Sequence, residues 1–168
     1  MKKILLILVA AMAFSLTSNA QFRAGDMLAS GSFQAQFQKD NNAYNLGLWG
    51  DYMITDQWAL GLGVGIGKDY FPPLTGTSWM VAPNASYFWK INDKFFVQNR
   101  LYFEIGDMAK DYSFYAIGYN PTINYKVTDN MFIGFSFGTF NYTKVKDIDG
   151  MFNFDINSAA GLSVSYKF

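Results

Sequence analysis

Phe152-Asn153-Phe154-Asp155-Ile156-Asn157-Ser158-Ala159-Ala160-Gly161-Leu162-Ser163-Val164-Ser165-Tyr166-Lys167-Phe168 ends the sequence. Alternate positions form two sets. Phe152, Phe154, Ile156, Ala160, Leu162, Val164, Tyr166 and Phe168 are apolar, broken only by Ser158; the residues between them are small, polar or charged. A period of two describes a strand whose faces meet different surroundings. The stretch is 17 residues long, where a soluble strand usually has about 5–6.

The same alternation recurs upstream. Met27 to Gln38 sets Ser30, Ser32, Gln34, Gln36 and Gln38 against Phe33 and Phe37. A second strand sets Tyr44, Leu46, Leu48, Tyr52 and Ile54 against Asn45, Gly47, Trp49 and Asp51, after a loop expected at Lys39 to Ala43. The third alternates Trp58, Leu60, Leu62, Val64 and Ile66 with Ala59, Gly61, Gly63, Gly65 and Gly67. A loop is expected over Lys68 to Ser78, where Pro72 and Pro73 cannot donate to a ladder. Strands four to seven follow, at Trp79–Lys90, Phe95–Ile105, Tyr115–Lys126 and Met131–Gly138, with a loop expected from Asn141 to Gly150.

A short motif joins these strands. Tyr52-Met53-Ile54-Thr55-Asp56-Gln57-Trp58 recurs as Trp89-Lys90-Ile91-Asn92-Asp93-Lys94-Phe95 and as Tyr125-Lys126-Val127-Thr128-Asp129-Asn130-Met131, its leading aromatics 37 and then 36 residues apart. Asp, Asn and Thr favour tight turns because their side chains bond local backbone. Three such turns plus the final strand give four hairpins, hence eight strands. The expectation is an all-β fold, an eight-stranded antiparallel up-and-down transmembrane β-barrel.

Composition agrees. Aromatic residues make up 19 % of the chain and charged residues 15 %, against about 25 % charge in a usual soluble domain. After the leader no segment offers eighteen consecutive apolar residues for a spanning helix. Seven charged residues, Asp51, Lys90, Arg100, Glu104, Lys126, Asp155 and Lys167, all fall on the polar face of these strands. That segregation fits a lipid-facing exterior, where a mid-depth Arg or Lys costs about 2–4 kcal/mol. Aromatics gather at the strand ends: Tyr52, Trp58, Trp89, Phe95 and Tyr125 form a girdle beside the short turns, with Tyr44 and Trp79 at the other rim. A lipocalin-like barrel would invert the faces, but a polar face rich in Gly, Ser, Asn and Gln makes a poor charged soluble surface. Asn99, Ser158, Pro83 and Pro121 fit the pattern badly.

Residues 1–20 read as a secretory signal peptide: Lys2 and Lys3, an apolar run from Ile4 to Leu16, then Ser18 and Ala20 before the cut. Residues 21–168 are then one barrel domain, and losing two lysines leaves 11 basic against 13 acidic residues. That balance offers no basic patch for nucleic acid.

Against this background the sequence resembles the small outer-membrane β-barrel domain proteins of the Bacteroidota type, OmpA/OmpX-like in architecture. The residues that carry the likeness are Gly25-Asp26, Gly31-Ser32-Phe33, Thr55-Asp56 before Leu60-Gly61-Leu62-Gly63, Tyr125-Lys126-Val127-Thr128-Asp129-Asn130 and Ser165-Tyr166-Lys167-Phe168. The resemblance implies a location in the cell outer membrane with both termini in the periplasm. It implies that Tyr166 and Phe168 serve as the signal read by the barrel-assembly machinery, and that prolines such as Pro83 and Pro121 open returning strands. It brings no catalytic residues.

The functional expectation is a non-enzymatic, monomeric integral barrel with a structural or surface-interaction role, in contact with outer-membrane lipid and lipopolysaccharide. The chain contains no histidine, the usual base near neutral pH, and no cysteine for a thiolate metal site. No cofactor is expected. Asp147-Ile148-Asp149-Gly150 is only a fragment of a calcium loop, and the glycines of strand three lack the G-x-G-x-x-G spacing. A lumen charge network of Asp51, Arg100, Glu104 and Asp155 is expected, with Trp49, Met80, Phe88 and Tyr102 filling the bore. The alternative is a narrow, porin-like channel for small solutes, if the glycines of strand three leave a gap.

Overall fold

The structure, a computed structural model, describes residues 21–38, 41–71, 74–108 and 112–168. Eight strands run in chain order: β1 Met27–Gln38, β2 Asn41–Met53, β3 Trp58–Phe71, β4 Leu74–Lys90, β5 Phe95–Met108, β6 Tyr112–Lys126, β7 Met131–Val145 and β8 Met151–Lys167. Each pairs antiparallel with its neighbours, and β1 closes on β8. Closure leaves no full-length edge, so a chain can turn an apolar sheet face outward without exposing a polar rim. The β1–β8 seam pairs Leu28–Ala35 with Ala160–Lys167, so the upper half of β8 rises past β1.

The faces divide as the alternation predicts. On β3, Trp58, Leu60, Leu62, Val64 and Ile66 are exposed on the outer surface while Ala59 is fully buried. On β5, Leu101, Phe103 and Ile105 point out while Phe96, Gln98 and Tyr102 are buried. The exterior is therefore apolar and the interior mixed, the reverse of a soluble barrel.

The loops are shorter than expected. Much of what is expected as loop at Lys39 to Ala43, Lys68 to Ser78 and from Asn141 to Gly150 is strand: β2 begins at Asn41, β3 runs on to Phe71 and β4 starts at Leu74, and β7 continues to Val145, leaving 146–150 as the loop before β8. Pro72 and Pro73 lie outside the described residues. The longer strands bring three more charged residues onto the outer face, Lys68, Asp107 and Lys144, in register with Tyr44, Trp79 and Tyr115 at the loop-side rim. The Trp79 indole donates to the Asp107 carboxylate at 3.1 Å. Six of the seven charges counted in the sequence, Asp51, Lys90, Arg100, Glu104, Lys126 and Lys167, keep inward parity, but among the described residues the outer face is charge-free only in its central band.

The misfits acquire physical reasons. Pro121 pairs with Asn99 on β5 but sits where the β6–β7 register shifts, between Tyr119 and Thr122. Gly138, with φ 118°, forms the opposing irregularity in β7, and the Asn120 side chain donates to its carbonyl at 3.1 Å. The missing N–H of Pro121 therefore falls at a gap in the ladder. Pro83 pairs with Leu62 on β3, while the β4–β5 pairing passes from Val81 to Asn84. Asn99 needs no bulge: it donates to the Tyr87 carbonyl at 3.3 Å and accepts the Tyr119 hydroxyl at 2.6 Å. The side chain of Ser158 lies outside the described residues.

The repeated turns share one device. Thr55, Asn92 and Thr128 occupy the same motif position, and each side-chain oxygen accepts two backbone N–H groups of its own turn at 2.9–3.3 Å. Thr128→Val keeps the shape and removes this acceptor. It is expected to lower stability by about 1–2 kcal/mol, read as an earlier midpoint in urea unfolding from micelles. An unchanged midpoint would mean that the backbone alone sets the turn.

Candidate functional site

The bore is layered. Nearest the short turns, inward positions give an apolar cluster: Leu28, Met53, Ala59, Phe88, Phe96 and Phe132, all buried. Phe22, from the segment preceding β1, completes it. Its ring lies 4.8 Å from that of Phe88, 5.2 Å from Phe96 and 5.5 Å from Phe132, and it is 1 % exposed. Burying such a ring contributes about 1.5–3 kcal/mol. The sequence reading assigned Phe22 no role, because one aromatic in an irregular stretch has no periodicity to announce it.

Above the aromatic layer lies a polar one. Arg100 Nη2 donates to Asp51 Oδ2 at 2.8 Å, and the side chains are 13 % and 0 % exposed. The guanidinium stacks 4.2 Å over the Trp49 ring. Trp49 Nε1 donates to Ser32 Oγ at 3.2 Å. Ser86 Oγ accepts from Gln98 at 3.1 Å and from Arg100 Nε at 3.4 Å. These inward positions come from four strands, Ser32 on β1, Trp49 and Asp51 on β2, Ser86 on β4 and Gln98 and Arg100 on β5, so the layer is knitted across the bore.

The glycines of β3 give this layer its room. A Cβ on Gly63 would overlap the Trp49 ring, and one on Gly61 would overlap the Asp51 carboxylate. Gly118 on β6 stands in the same relation to Tyr102. The gap beside β3 on which the channel alternative depends is thus filled by Trp49 and Asp51. Beside this layer a cavity of about 120 Å³ remains, reaching from Ser30, Gln98 and Ser165 past Arg100 to Glu104 and Thr139.

The sequence-derived candidates fall as follows. Asp51 and Arg100 meet as an ion pair, and Glu104 lines the same cavity. Asp155 pairs through its backbone with Thr139, but its side chain lies outside the described residues. Tyr52, Trp58, Phe95 and Tyr125 are exposed on the outer face near the turns, and Trp89 is half-buried. Their rings associate across strands, Trp58 with Tyr87 at 5.0 Å and Phe95 with Tyr125 at 5.1 Å. Tyr166 and Phe168 lie 4.9 Å apart, and the Phe168 N–H donates to the Met27 carbonyl at 2.9 Å. The start of β1 and the end of β8 therefore lie together at the short-turn rim.

That rim carries a ring of lysines. Lys90 and Lys126 each follow the leading aromatic of the repeat, and Lys167 follows Tyr166 at the end of β8. Lys90 pairs with Asp93 at 2.8 Å, Lys126 with Asp129 at 2.7 Å and Lys167 with Asp26 at 3.7 Å. The hydrogen bonds and charges of Lys90 and Lys126 hold the Asp93 and Asp129 carboxyls below the ordinary carboxylate range. The fourth position is Met53, fully buried, and its partner acid Asp56 accepts the Ala24 N–H at 3.0 Å instead.

No protein-family model matches the chain, and no curated protein matches it. Solved structures do. The amino-terminal β-barrel domain of Pseudomonas aeruginosa OprF superposes with a TM-score of 0.57 at 15 % identity, over 86 % of this chain and 98 % of that one. Neisserial surface protein A gives 0.53 at 13 % identity, over 89 % and 98 %. Ail, the attachment invasion locus protein of Yersinia pestis, gives 0.52 at 14 % identity, over 88 % and 100 %. At these identities the likeness is one of fold: the chain has the closed eight-stranded architecture of outer-membrane barrels.

Proposed function

We propose that the chain is an integral outer-membrane barrel, exported by a removable leader at residues 1–20, that acts through its surface and not by catalysis or transport. The observation that carries this reading is the filled bore. An Arg100–Asp51 pair stacked on Trp49 crosses its middle, and an aromatic cluster closes its turn side. The outer face supports the location. Its central band is apolar, aromatic pairs lie near the turns, and Lys68 and Lys144 stand at the loop-side rim. Lysines there fit the phosphates of lipopolysaccharide. The short turns and both termini then face the periplasm, and Tyr166 with Phe168 offers the assembly machinery its aromatic strand end. Ail and Neisserial surface protein A, of the same fold, are named for attachment and for the cell surface.

A second reading, a narrow channel, draws on the polar cavity beside Glu104 and Arg100. Planar-bilayer conductance of residues 21–168 separates the two. The surface-acting barrel is expected to be silent. Reproducible small steps that change on Arg100→Ala would establish the channel.

A further inference from the structure

We propose that residues 21–26 form a displaceable plug for the turn-side mouth, with Phe22 as its stopper and Asp56 as its latch. This goes beyond the proposed function, because it assigns control of access to the lumen to a segment outside the strands. Gly25, at φ 97° with open space around it, turns the chain off β1 and across the mouth. Phe22 then drops into a cluster to which β1, β2, β3, β4, β5 and β7 all contribute.

The repeat shows that the barrel is shaped to receive it. Two of the three repeats place a lysine at the rim, each paired with the repeat's own aspartate, and at the end of β8 Lys167 pairs with Asp26 of the segment that crosses the mouth. Where the plug crosses, the lysine is replaced by Met53. The Gly25 N–H donates to the Met53 carbonyl at 2.8 Å, and the Met53 N–H to the Asp26 carbonyl at 2.9 Å. A lysine at this buried position would lie under the plug and compete for Asp56. With methionine there, Asp56 is left to accept the Ala24 N–H. Farther round the rim, Gln21 Nε2 donates to the Asn92 carbonyl at 2.9 Å, and Lys167 Nζ donates to the Gln21 carbonyl at 3.4 Å.

The mode of attachment makes the plug displaceable. The contacts of Ala24 with Asp56 and of Gln21 with Asn92 are solvent-exposed, so water replaces them readily. Lifting residues 21–24 breaks no strand pair. The buried ring of Phe22 is the main hold. Segments attached this way open locally while the rest of a fold stays intact.

The chain has no cysteine, which permits a clean test. Ala59, fully buried in the cluster, becomes a reporter as Ala59→Cys in the protein of residues 21–168, exposed in micelles to a charged maleimide. Labelling is expected to be slow with Phe22 in place and at least about ten-fold faster with Phe22→Ser. Asp56→Ala, which removes the latch and leaves every strand residue in place, is expected to accelerate it more modestly. Heat-dependent electrophoretic mobility verifies that each variant is folded. If Phe22→Ser does not fold, Asp56→Ala decides. An unchanged rate in the folded variant, or fast labelling with Phe22 and Asp56 both intact, overturns the plug. The readout does not involve conduction, so a barrel that never conducts still reports on its plug.

Discussion

Asp51→Ala is expected to destabilise the barrel by about 3–5 kcal/mol, the usual consequence of leaving a buried charge without its partner. Arg100 would keep its stacking on Trp49 and a long contact to Ser86, but would lose the one carboxylate it meets at 2.8 Å. The Asp51 side chain is wholly buried, so solvent screening does little to soften the loss. The double variant Asp51→Ala/Arg100→Met is expected to recover most of the stability, because it removes both charges and keeps much of the volume. Urea unfolding of the refolded barrel, followed by tryptophan fluorescence, measures all three proteins. A single-variant loss below about 1 kcal/mol would show the pair to be well hydrated, like a surface ion pair.

Leu62→Arg is expected to cost about 2–4 kcal/mol in lipid vesicles. Leu62 is 54 % exposed on the outer face, midway along the apolar run Trp58–Ile66 of β3, between Leu60 and Val64. In a membrane its surroundings are hydrocarbon, and an arginine there must distort the bilayer or reach for its edge. In water the same position is simply a half-exposed leucine, and arginine would be close to neutral. The sign and size of the effect therefore test the lipid-facing exterior without reference to any relative. Stability unchanged by this substitution would return the chain to the soluble-barrel reading.

The part of the fold most legible in the sequence was the part between two dissimilar solvents. From Trp58 to Ile66 every second residue is apolar, so face, register and strand type all follow from a period of two. Beyond the aromatic rims that contrast disappears. Lys68, Asp107 and Lys144 continue their strands on the outer face, yet in sequence Lys68 and Lys144 read as loop and Asp107 falls beyond the last alternating residue of its strand, because water on both sides imposes no alternation. The lumen was half legible. Parity identified inward residues, but partners depend on closure. Glu104 lies four residues from Arg100 along one strand, roughly 13 Å away, whereas Asp51 arrives from β2 across the bore. Phe22 left no periodic trace at all. Its one sequence signal is the break in the repeat, where Met53 stands in place of lysine.

The pairing of inward glycines with bulky neighbours has a consequence for how such a chain changes over generations. Trp49 occupies the space that Gly63 leaves, and Tyr102 the space that Gly118 leaves. A larger residue at either glycine must wait until its neighbour has shrunk, so these positions are constrained in order as well as in identity. The opposite direction is open. Shrinking Trp49 and Tyr102 asks nothing of the glycines, and it removes two of the largest side chains bordering the existing chamber. A barrel filled in this way is thus a near neighbour, in mutational distance, of a hollower one, and lineages of this architecture can pass from one to the other without altering a single strand.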